Sequence, residues 1–181
     1  KMQNFKDMEI KELIRSKIRE VPDWPKKGVS FKDITPLLQD KKLFCEMVNL
    51  LASPYLKGKI DKVVGIDARG FILAAAVAYR LKTGLAIVRK KGKLPSKTVS
   101  KEYSLEYASN VLEMHEDSIL PGERVIIIDD VLATGGTMEA TVDLVQKLRG
   151  KVIGIEFLIE LTYLKGRKNL KGQKIKSLLK Y

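Results

Sequence analysis

The sequence contains very little cysteine and histidine, with one residue of each among 181. Cys45 alone can form neither an intrachain disulfide nor a cysteine-ligated metal site, which predicts a cytoplasmic location. His115 alone excludes a metal site built from several histidines. A serine-histidine hydrolase is also a poor interpretation, because a single imidazole would have to serve every role.

Long hydrophobic runs are missing too, since every apolar stretch is interrupted well before the ~20 residues that cross a bilayer. The first residues follow the pattern of a charged amphipathic helix and not that of a signal peptide. We therefore expect no membrane partner. The share of hydrophobic residues, 45%, is ordinary for a globular chain, and the length predicts a single domain over residues 1–181.

Acidic residues are outnumbered by basic ones, and the formal net charge is +12. The excess lies in residues 82–101 and residues 165–180, which hold seven basic side chains each and no acidic one. A clustered basic surface attracts polyanions. Binding of nucleic acid, binding of phosphorylated metabolites and plain solubility all remain open at this point.

Hydrophobic periodicity predicts alternating helices and strands. The predicted helices cover residues 8–21, 71–82 and 137–149. A further predicted helix is capped by Asp40, faces inward through its apolar residues between Leu43 and Leu51, and ends near Pro54. The predicted strands, which are short and apolar, cover residues 62–67, 84–90, 125–130 and 151–161. Such an alternation is typical of a parallel sheet covered on both faces. Residues 91–115 lack helical spacing, and we expect an extended excursion off the sheet that acts as a lid.

The most informative motif is VIIIDDVLATGGT, residues 125–137. Asp129 and Asp130 follow a buried strand, and ligands of open parallel sheets bind where such strands end. The next turn offers small side chains and free backbone N–H groups at a helix N-terminus, which is typical of phosphate binding. That turn consists of Ala133, Thr134, Gly135, Gly136 and Thr137. A sugar phosphate suits both halves of the motif, whereas the alternative is a glycine-rich turn beside two solvated aspartates.

Residues 125–137 resemble the phosphoribosyl pyrophosphate (PRPP) signature of the type I phosphoribosyltransferases. Further segments resemble the adenine phosphoribosyltransferases within that family: residues 23–36 (DWPKKGVSFKDITP), 67–71 (DARGF), 89–95 (RKKGKLP), 103–107 (YSLEY) and 161–167 (LTYLKGR). The resemblance extends over nearly the whole chain. It implies an α/β fold with a parallel sheet flanked by helices, a small N-terminal hood at about residues 1–36 and a flexible lid loop at about residues 91–115. It also implies a homodimer.

The implied reaction transfers the 5-phosphoribosyl group from PRPP to N9 of adenine, giving AMP and pyrophosphate with Mg²⁺ as cofactor. Asp129 and Asp130 would hold the ribose hydroxyls, and Mg²⁺ would bind near them mainly through the diphosphate and ribose oxygens of the substrate. Residues 133–137 would bind the 5-phosphate. The pyrophosphate would contact Ala68, Arg69, Arg89 and Lys93, with a non-proline cis peptide between Ala68 and Arg69. The alternative for Arg69 is a surface arginine, placed unfavourably at a helix N-terminus.

The resemblance also implies the residues that would recognise adenine, namely Ser30, Phe31, Lys32 and Glu106. Phe31 would stack on the base, and main-chain groups at Lys32 would bond its edge, which disfavours hypoxanthine and guanine. Glu106 would exchange a proton at N7 of the base, although an exposed glutamate on an alternating strand is the alternative. Ser30, Lys32 and Ala108 depart from the common family residues, and we expect those departures to affect rate more than identity.

Two other functions stay open. A relative could act on another base or bind PRPP only as a regulatory ligand, although the catalytic residues are intact. A nucleic-acid-binding protein could use the two basic segments, but the sequence has no RRM signature and no helix-turn-helix pattern. We therefore expect small-molecule substrates and no specific nucleic acid.

Overall fold

The computed structural model describes residues 2–105 and 108–181. The chain divides into two compact units, Lys1–Leu50 and Leu51–Tyr181. The single domain over residues 1–181 and the hood boundary near residue 36 stay predictions. Within the described residues, no helix combines the length and the apolar character that a bilayer crossing requires.

The first unit contains a two-stranded antiparallel sheet and most of three helices. Its elements are α1 (Met2–Ser16), β1 (Arg19–Val21), β2 (Phe31–Asp33), α2 (Thr35–Gln39) and α3 (Lys41–Ala52, which ends in the second unit). In the sheet, Val21 lies opposite Phe31. The Asp40 carboxylate accepts the backbone N–H groups of Lys42 and Leu43, which confirms the predicted cap of α3.

The predicted helix over residues 8–21 is wrong at both ends, because α1 starts at Met2 and stops at Ser16. The Ser16 hydroxyl donates to the Leu13 carbonyl at 2.7 Å, a local bond that is common where helices end. Arg19–Val21 then forms β1, since pairing with β2 satisfies its backbone groups. Ile18 is buried, and this explains why the apolar spacing continues past the helix.

The second unit is a seven-stranded sheet with helices. Its elements are β3 (Lys62–Ile66), α4 (Arg69–Leu81), β4 (Gly84–Lys90), β5 (Thr98–Leu105), β6 (Ala108–His115), β7 (Arg124–Leu132), α5 (Gly136–Lys147), β8 (Lys151–Glu160) and β9 (Ile175–Lys180). The strand order is β5-β6-β4-β3-β7-β8-β9. Five neighbouring strands, namely β4, β3, β7, β8 and β9, are parallel to one another. The predicted α/β architecture is therefore confirmed.

A large apolar core lies between α5 and one face of this sheet. It includes Val64, Ile127 and Phe157 from the strands and Val145 from the helix, all nearly or fully buried. Helix α4 packs against β3, β4 and β7. Residues at the carboxyl ends of β3 and β7 are therefore held side by side, because these two strands are neighbours in the sheet.

Residues 98–105 and 108–115 form an antiparallel hairpin, which agrees with the expected extended conformation. The expectation that this segment leaves the sheet is wrong, because β6 pairs with β4 through Arg89 opposite Glu113 and Lys90 opposite Leu112. The physical reason is burial, since Leu112 and Met114 belong to the apolar core. The lid role stays a prediction.

Candidate active site

The carboxyl ends of β3 and β7 lie at the point where successive chain connections leave the sheet in opposite directions. The chain passes from β3 to β4 on one side, whereas β7, β8 and β9 follow on the other side. Open α/β sheets bind their ligands at such a point. Here β3 leads into Asp67, Ala68 and Arg69, and β7 delivers Asp129 and Asp130.

Arg69 and Asp130 form an ion pair across the two strand ends. The Arg69 Nε atom lies 2.7 Å from Asp130 Oδ2, and the Asp130 side chain is 7% exposed. This Oδ2 atom is buried and accepts no hydrogen bond of good geometry, so the contact is an ion pair and not an aligned hydrogen bond. The pair places the partly exposed Arg69 guanidinium against the buried Asp130 carboxylate, where the ends of β3 and β7 meet.

Asp129 lies next to that pair and has a perturbed titration. Its Oδ1 atom accepts the backbone N–H of Asp130 at 2.9 Å. Burial, together with the neighbouring Asp130 charge, raises the pKa of Asp129 well above the usual range, while the Arg69 guanidinium opposes the rise. Strongly shifted carboxyl groups of this kind are typical of functional sites.

The loop after β7, residues 133–137, connects directly to the N-terminus of α5. Gly135 has φ of 89°, a left-handed conformation that glycine adopts without strain. The Tyr103 hydroxyl lies 3.3 Å from Thr137 Oγ1, and Asn169 Nδ2 donates to the Thr134 carbonyl at 2.8 Å. The loop presents backbone N–H groups at a helix N-terminus, which is an anion-binding geometry.

The turn after β3 contains a non-proline cis peptide bond, but it joins Asp67 to Ala68. The prediction of a cis bond between Ala68 and Arg69 is therefore wrong by one residue. Arg69 is already the first residue of α4, and the peptide bond entering the helix is trans like nearly all others.

Asp67 also organises a second arginine. Its Oδ2 atom accepts the Nε–H of Arg89 at 2.9 Å, and Arg89 Nη1 donates to the Lys93 carbonyl at 3.2 Å. Lys93 itself lies exposed in the turn between β4 and β5. Arg89 is thus tied to the β3 turn and to the β4–β5 turn at the same time.

The segment expected to recognise adenine lies in the first unit. Phe31 contacts Trp24 edge to face, with ring centroids 4.4 Å apart. The buried Lys32 ammonium pairs with the Glu20 carboxylate and lies 3.3 Å from the Ser30 hydroxyl. Because the Lys32 side chain is bound within its own unit, only its main-chain groups match the expected recognition of a base.

Comparisons with known proteins agree with this geometry. A family profile described as the phosphoribosyl transferase domain matches residues 37–177. The adenine phosphoribosyltransferase of Trichlorobacter lovleyi is 53% identical over 94% of this chain and 99% of its own. The crystal structure of adenine phosphoribosyltransferase from Thermoanaerobacter pseudethanolicus has a TM-score of 0.92 and 51% identity, over 94% of this chain and 99% of that one.

The chain belongs to the adenine phosphoribosyltransferase family. A more distant member, from Saccharomyces cerevisiae, is 32% identical with a TM-score of 0.90, over 95% of this chain and 99% of that one. That protein was crystallised with adenine and an imino-altritol bisphosphate.

Within this adenine phosphoribosyltransferase fold, the predicted site residues fall into three groups. The second unit brings together the β3 turn and the β7 end, with residues Ala68, Arg69, Asp129, Asp130 and the loop 133–137, and Arg89 links Lys93 to the same turn through Asp67. Ser30, Phe31 and Lys32 belong to the first unit. Glu106 lies outside the described residues, and its role stays a prediction.

Sequence reasoning did not identify two residues that organise the site. Asp67 orients Arg89, and Asn169 contacts Thr134. For Tyr103 the sequence favoured a packing or lid role over a place near the ribose phosphate, and the structure places its hydroxyl 3.3 Å from Thr137 Oγ1. Asp67 lies inside a quoted motif, but the motif does not indicate its contact with Arg89. Asn169 is distant in sequence from the loop, and no local pattern signals its contact.

Proposed function

We propose that this chain transfers the 5-phosphoribosyl group of PRPP to N9 of adenine, with AMP and pyrophosphate as products. The observation that supports this best is the grouping of an anion-binding loop, two carboxylates and Arg69 at neighbouring strand ends of one sheet. A diphosphate, a ribose and a terminal phosphate require these three kinds of partner. Membership of the family favours adenine as the acceptor base.

The chain's own residues suit the charges that develop when pyrophosphate leaves the anomeric carbon. Positive charge builds on the ribose, where the Asp129 and Asp130 carboxylates would bind the hydroxyls and stabilise a cationic ring. Negative charge builds on the leaving group, where Arg69, Arg89 and backbone N–H groups near Ala68 would bind it, with Lys93 contributing from the adjoining turn. The loop 133–137 would hold the 5-phosphate and fix the ribose.

The residues also fit Mg²⁺ bound mainly by the substrate. No group of three or more histidine, cysteine or carboxylate side chains suited to a metal occurs in the part of the chain that the structure describes. One or two carboxylates such as Asp129 and Asp130, completed by phosphate and ribose oxygens, are a normal Mg²⁺ environment. When bound, the ion would neutralise part of the diphosphate charge.

Base selection belongs in this proposal to Ser30, Phe31 and Lys32, with Glu106 as the acid or base at N7. The Phe31 ring is oriented by Trp24, and the Lys32 side chain is paired with Glu20. A backbone N–H facing N1 and a carbonyl facing the amino group would accept adenine and leave hypoxanthine with unpaired partners. We also propose a cytoplasmic location and, separately, a homodimer, which the exposed apolar residues Ile72 and Tyr79 of α4 support.

The test is AMP formation from PRPP, Mg²⁺ and adenine, with hypoxanthine and guanine in parallel reactions. We expect turnover with adenine alone, a lower kcat for Glu106→Ala, and kcat/KM for PRPP at least about 100-fold lower for Arg69→Ala. Arg80→Ala is the matched control, because Arg80 lies in the last turn of the same helix. Binding of PRPP without turnover on any base would contradict the proposed transferase activity and favour a protein that binds PRPP as a regulatory ligand.

A further inference from the structure

A short segment near the C-terminus contacts the phosphate loop, residues 133–137, and the proposed chemistry does not use it. We call residues 162–170 the brace; it contains two 3-10 turns, Thr162–Leu164 and Gly166–Asn169. Its Asn169 side chain donates from Nδ2 to the Thr134 carbonyl at 2.8 Å. Its backbone at Gly166 packs so closely that a Cβ on Gly135 would lie 2.4 Å from the Gly166 carbonyl oxygen.

The brace is itself firmly attached to the sheet. Arg167 donates from Nε and Nη2 to the two carboxylate oxygens of Glu160, at 2.7 Å each. Arg167 Nη1 also donates to the Ile175 carbonyl, and the Ser177 hydroxyl donates to Glu160. A bidentate arginine pair of this kind adds geometric specificity. Asn169, two residues beyond Arg167, is therefore held in place when it meets the loop.

The contact with Thr134 determines how one peptide group of the loop is oriented. In a trans peptide, the carbonyl of one residue and the N–H of the next point in opposite directions. Because the Thr134 carbonyl is bound to Asn169, the N–H of Gly135 points away from the brace. Gly135, with φ of 89°, could otherwise adopt other backbone conformations easily. A flipped peptide would present a carbonyl oxygen in place of the N–H, and a carbonyl repels an anion.

We infer that Asn169 is a positioning residue: its side-chain amide holds the Thr134–Gly135 peptide so that the Gly135 N–H is available to the 5-phosphate of PRPP. This inference rests on the proposed function, because it requires the loop to bind that phosphate. It concerns a residue that touches no reacting atom, so its effect is confined to phosphate binding.

The test compares Asn169→Ala and Asn169→Gln with Lys168→Ala, an exposed neighbour in the same turn. Affinity for ribose 5-phosphate is measured by calorimetry, KM for PRPP and for adenine by steady-state kinetics, and folding by Tm. Loss of one neutral hydrogen bond predicts about five- to tenfold weaker ribose 5-phosphate binding and a similar rise in KM for PRPP in Asn169→Ala. KM for adenine and Tm should match Lys168→Ala, and Asn169→Gln, which keeps an amide donor, should recover part of the affinity.

Three results would overturn the inference. Equal ribose 5-phosphate affinity in Asn169→Ala and Lys168→Ala would remove the positioning role and leave the proposed function intact. A parallel rise in KM for both substrates, accompanied by a lower Tm, would indicate a general structural role instead. Failure of the unaltered chain to bind PRPP would contradict the proposed function itself, and the inference with it.

Discussion

Gly70 lies at the start of α4, directly beside the paired aspartates. A Cβ atom at this position would meet Asp129 Oδ1 at 2.6 Å and the Ile128 carbonyl at 3.3 Å. On the facing strand β3, a Cβ on Gly65 would meet the Ala74 Cβ of α4 at 2.6 Å. The first turn of α4 therefore lies against β3 and β7 because these two positions have no side chain. The distance between Arg69 and Asp130 depends on that close approach.

We expect Gly70→Ala to displace the Asp129 carboxylate or to move α4 away from β7. The predicted result is a kcat/KM for PRPP at least about tenfold lower and a free energy of unfolding about 1 to 3 kcal/mol lower, as for other overpacked sites. Kinetics with PRPP and urea unfolding measure both quantities.

Gly58→Ala is the matched control for this substitution. A Cβ there would meet only the Tyr55 carbonyl, at 3.8 Å, and the Gly58 backbone lies outside the left-handed region. We expect its kinetics to be unchanged and its stability to lie within about 0.5 kcal/mol of the unaltered chain. Equal effects of the two substitutions would show that the contact with Asp129 is not what matters at position 70.

At the scale of elements, β8 contains a carboxyl group that the proposed chemistry does not use. Glu156 is 1% exposed, and its Oε1 atom accepts a hydrogen bond from the Tyr55 hydroxyl at 2.7 Å. Burial raises the pKa of Glu156 to about 7, although the Tyr55 hydrogen bond and the Lys176 charge on β9 oppose the rise. Between pH 4.5 and about 7, Glu156 of the folded chain therefore keeps a proton that the unfolded chain releases.

This raised pKa predicts a stability that falls with rising pH. The decrease should run from the ordinary pKa of 4.5 to about 7 and stop above it, because the folded state binds more protons only in that interval. Its size is at most about 3 kcal/mol, from the shift in pKa. Glu156→Gln keeps an acceptor for Tyr55 and should remove this part of the slope, as measured by urea unfolding between pH 5 and 8.

The exposed Glu116 supplies the control, because Glu116→Gln should leave the slope unchanged. Carboxyl groups with lowered pKa values, such as Glu160, change the free energy of unfolding in the opposite direction and at lower pH. Their contribution is the same in the variant and in the unaltered chain, so it cancels in the comparison. The same slope in Glu156→Gln and the unaltered chain would contradict the assignment.

At the scale of the whole molecule, the outer face of α4 bears on the proposed homodimer. Ile72 and Tyr79 are 42% and 89% exposed, and Ala75 lies between them on the same helical face. Neighbouring exposed apolar side chains often mark an interface between proteins. The charge of +12 works against non-specific association between copies.

We expect Tyr79→Lys to weaken the homodimer, because an isologous interface would bring two like charges together. Loss of one central aromatic contact predicts a dimer Kd at least about tenfold higher, measured by analytical ultracentrifugation. Leu120→Lys, at an exposed apolar residue outside α4, is the control and should leave Kd unchanged. A monomeric unaltered chain would contradict the homodimer, and an unchanged Kd for Tyr79→Lys would exclude this face.

Most strands of the second unit could be predicted from the sequence because a buried strand has a local signature. Residues 84–90 match β4 at both ends, and the other apolar strands differ by one or two residues at one end or at both. In contrast, β9 and the hood strands β1 and β2 were not predicted. They contain charged residues such as Lys176 and Glu20 and lie at the edge of a sheet or in a two-stranded one, where one side of a strand can stay in water.

The amino-acid sequence by itself determined the proposed phosphate-binding motif, because residues 125–137 form strand, loop and helix start in one contiguous stretch. It also determined the family, since the other quoted motifs are contiguous too. Only the tertiary structure decided that Arg69 meets Asp130, that Asp67 orients Arg89 and that Asn169 holds Thr134. Apolar spacing records which residues are buried, but which strands become neighbours depends on packing the whole sheet.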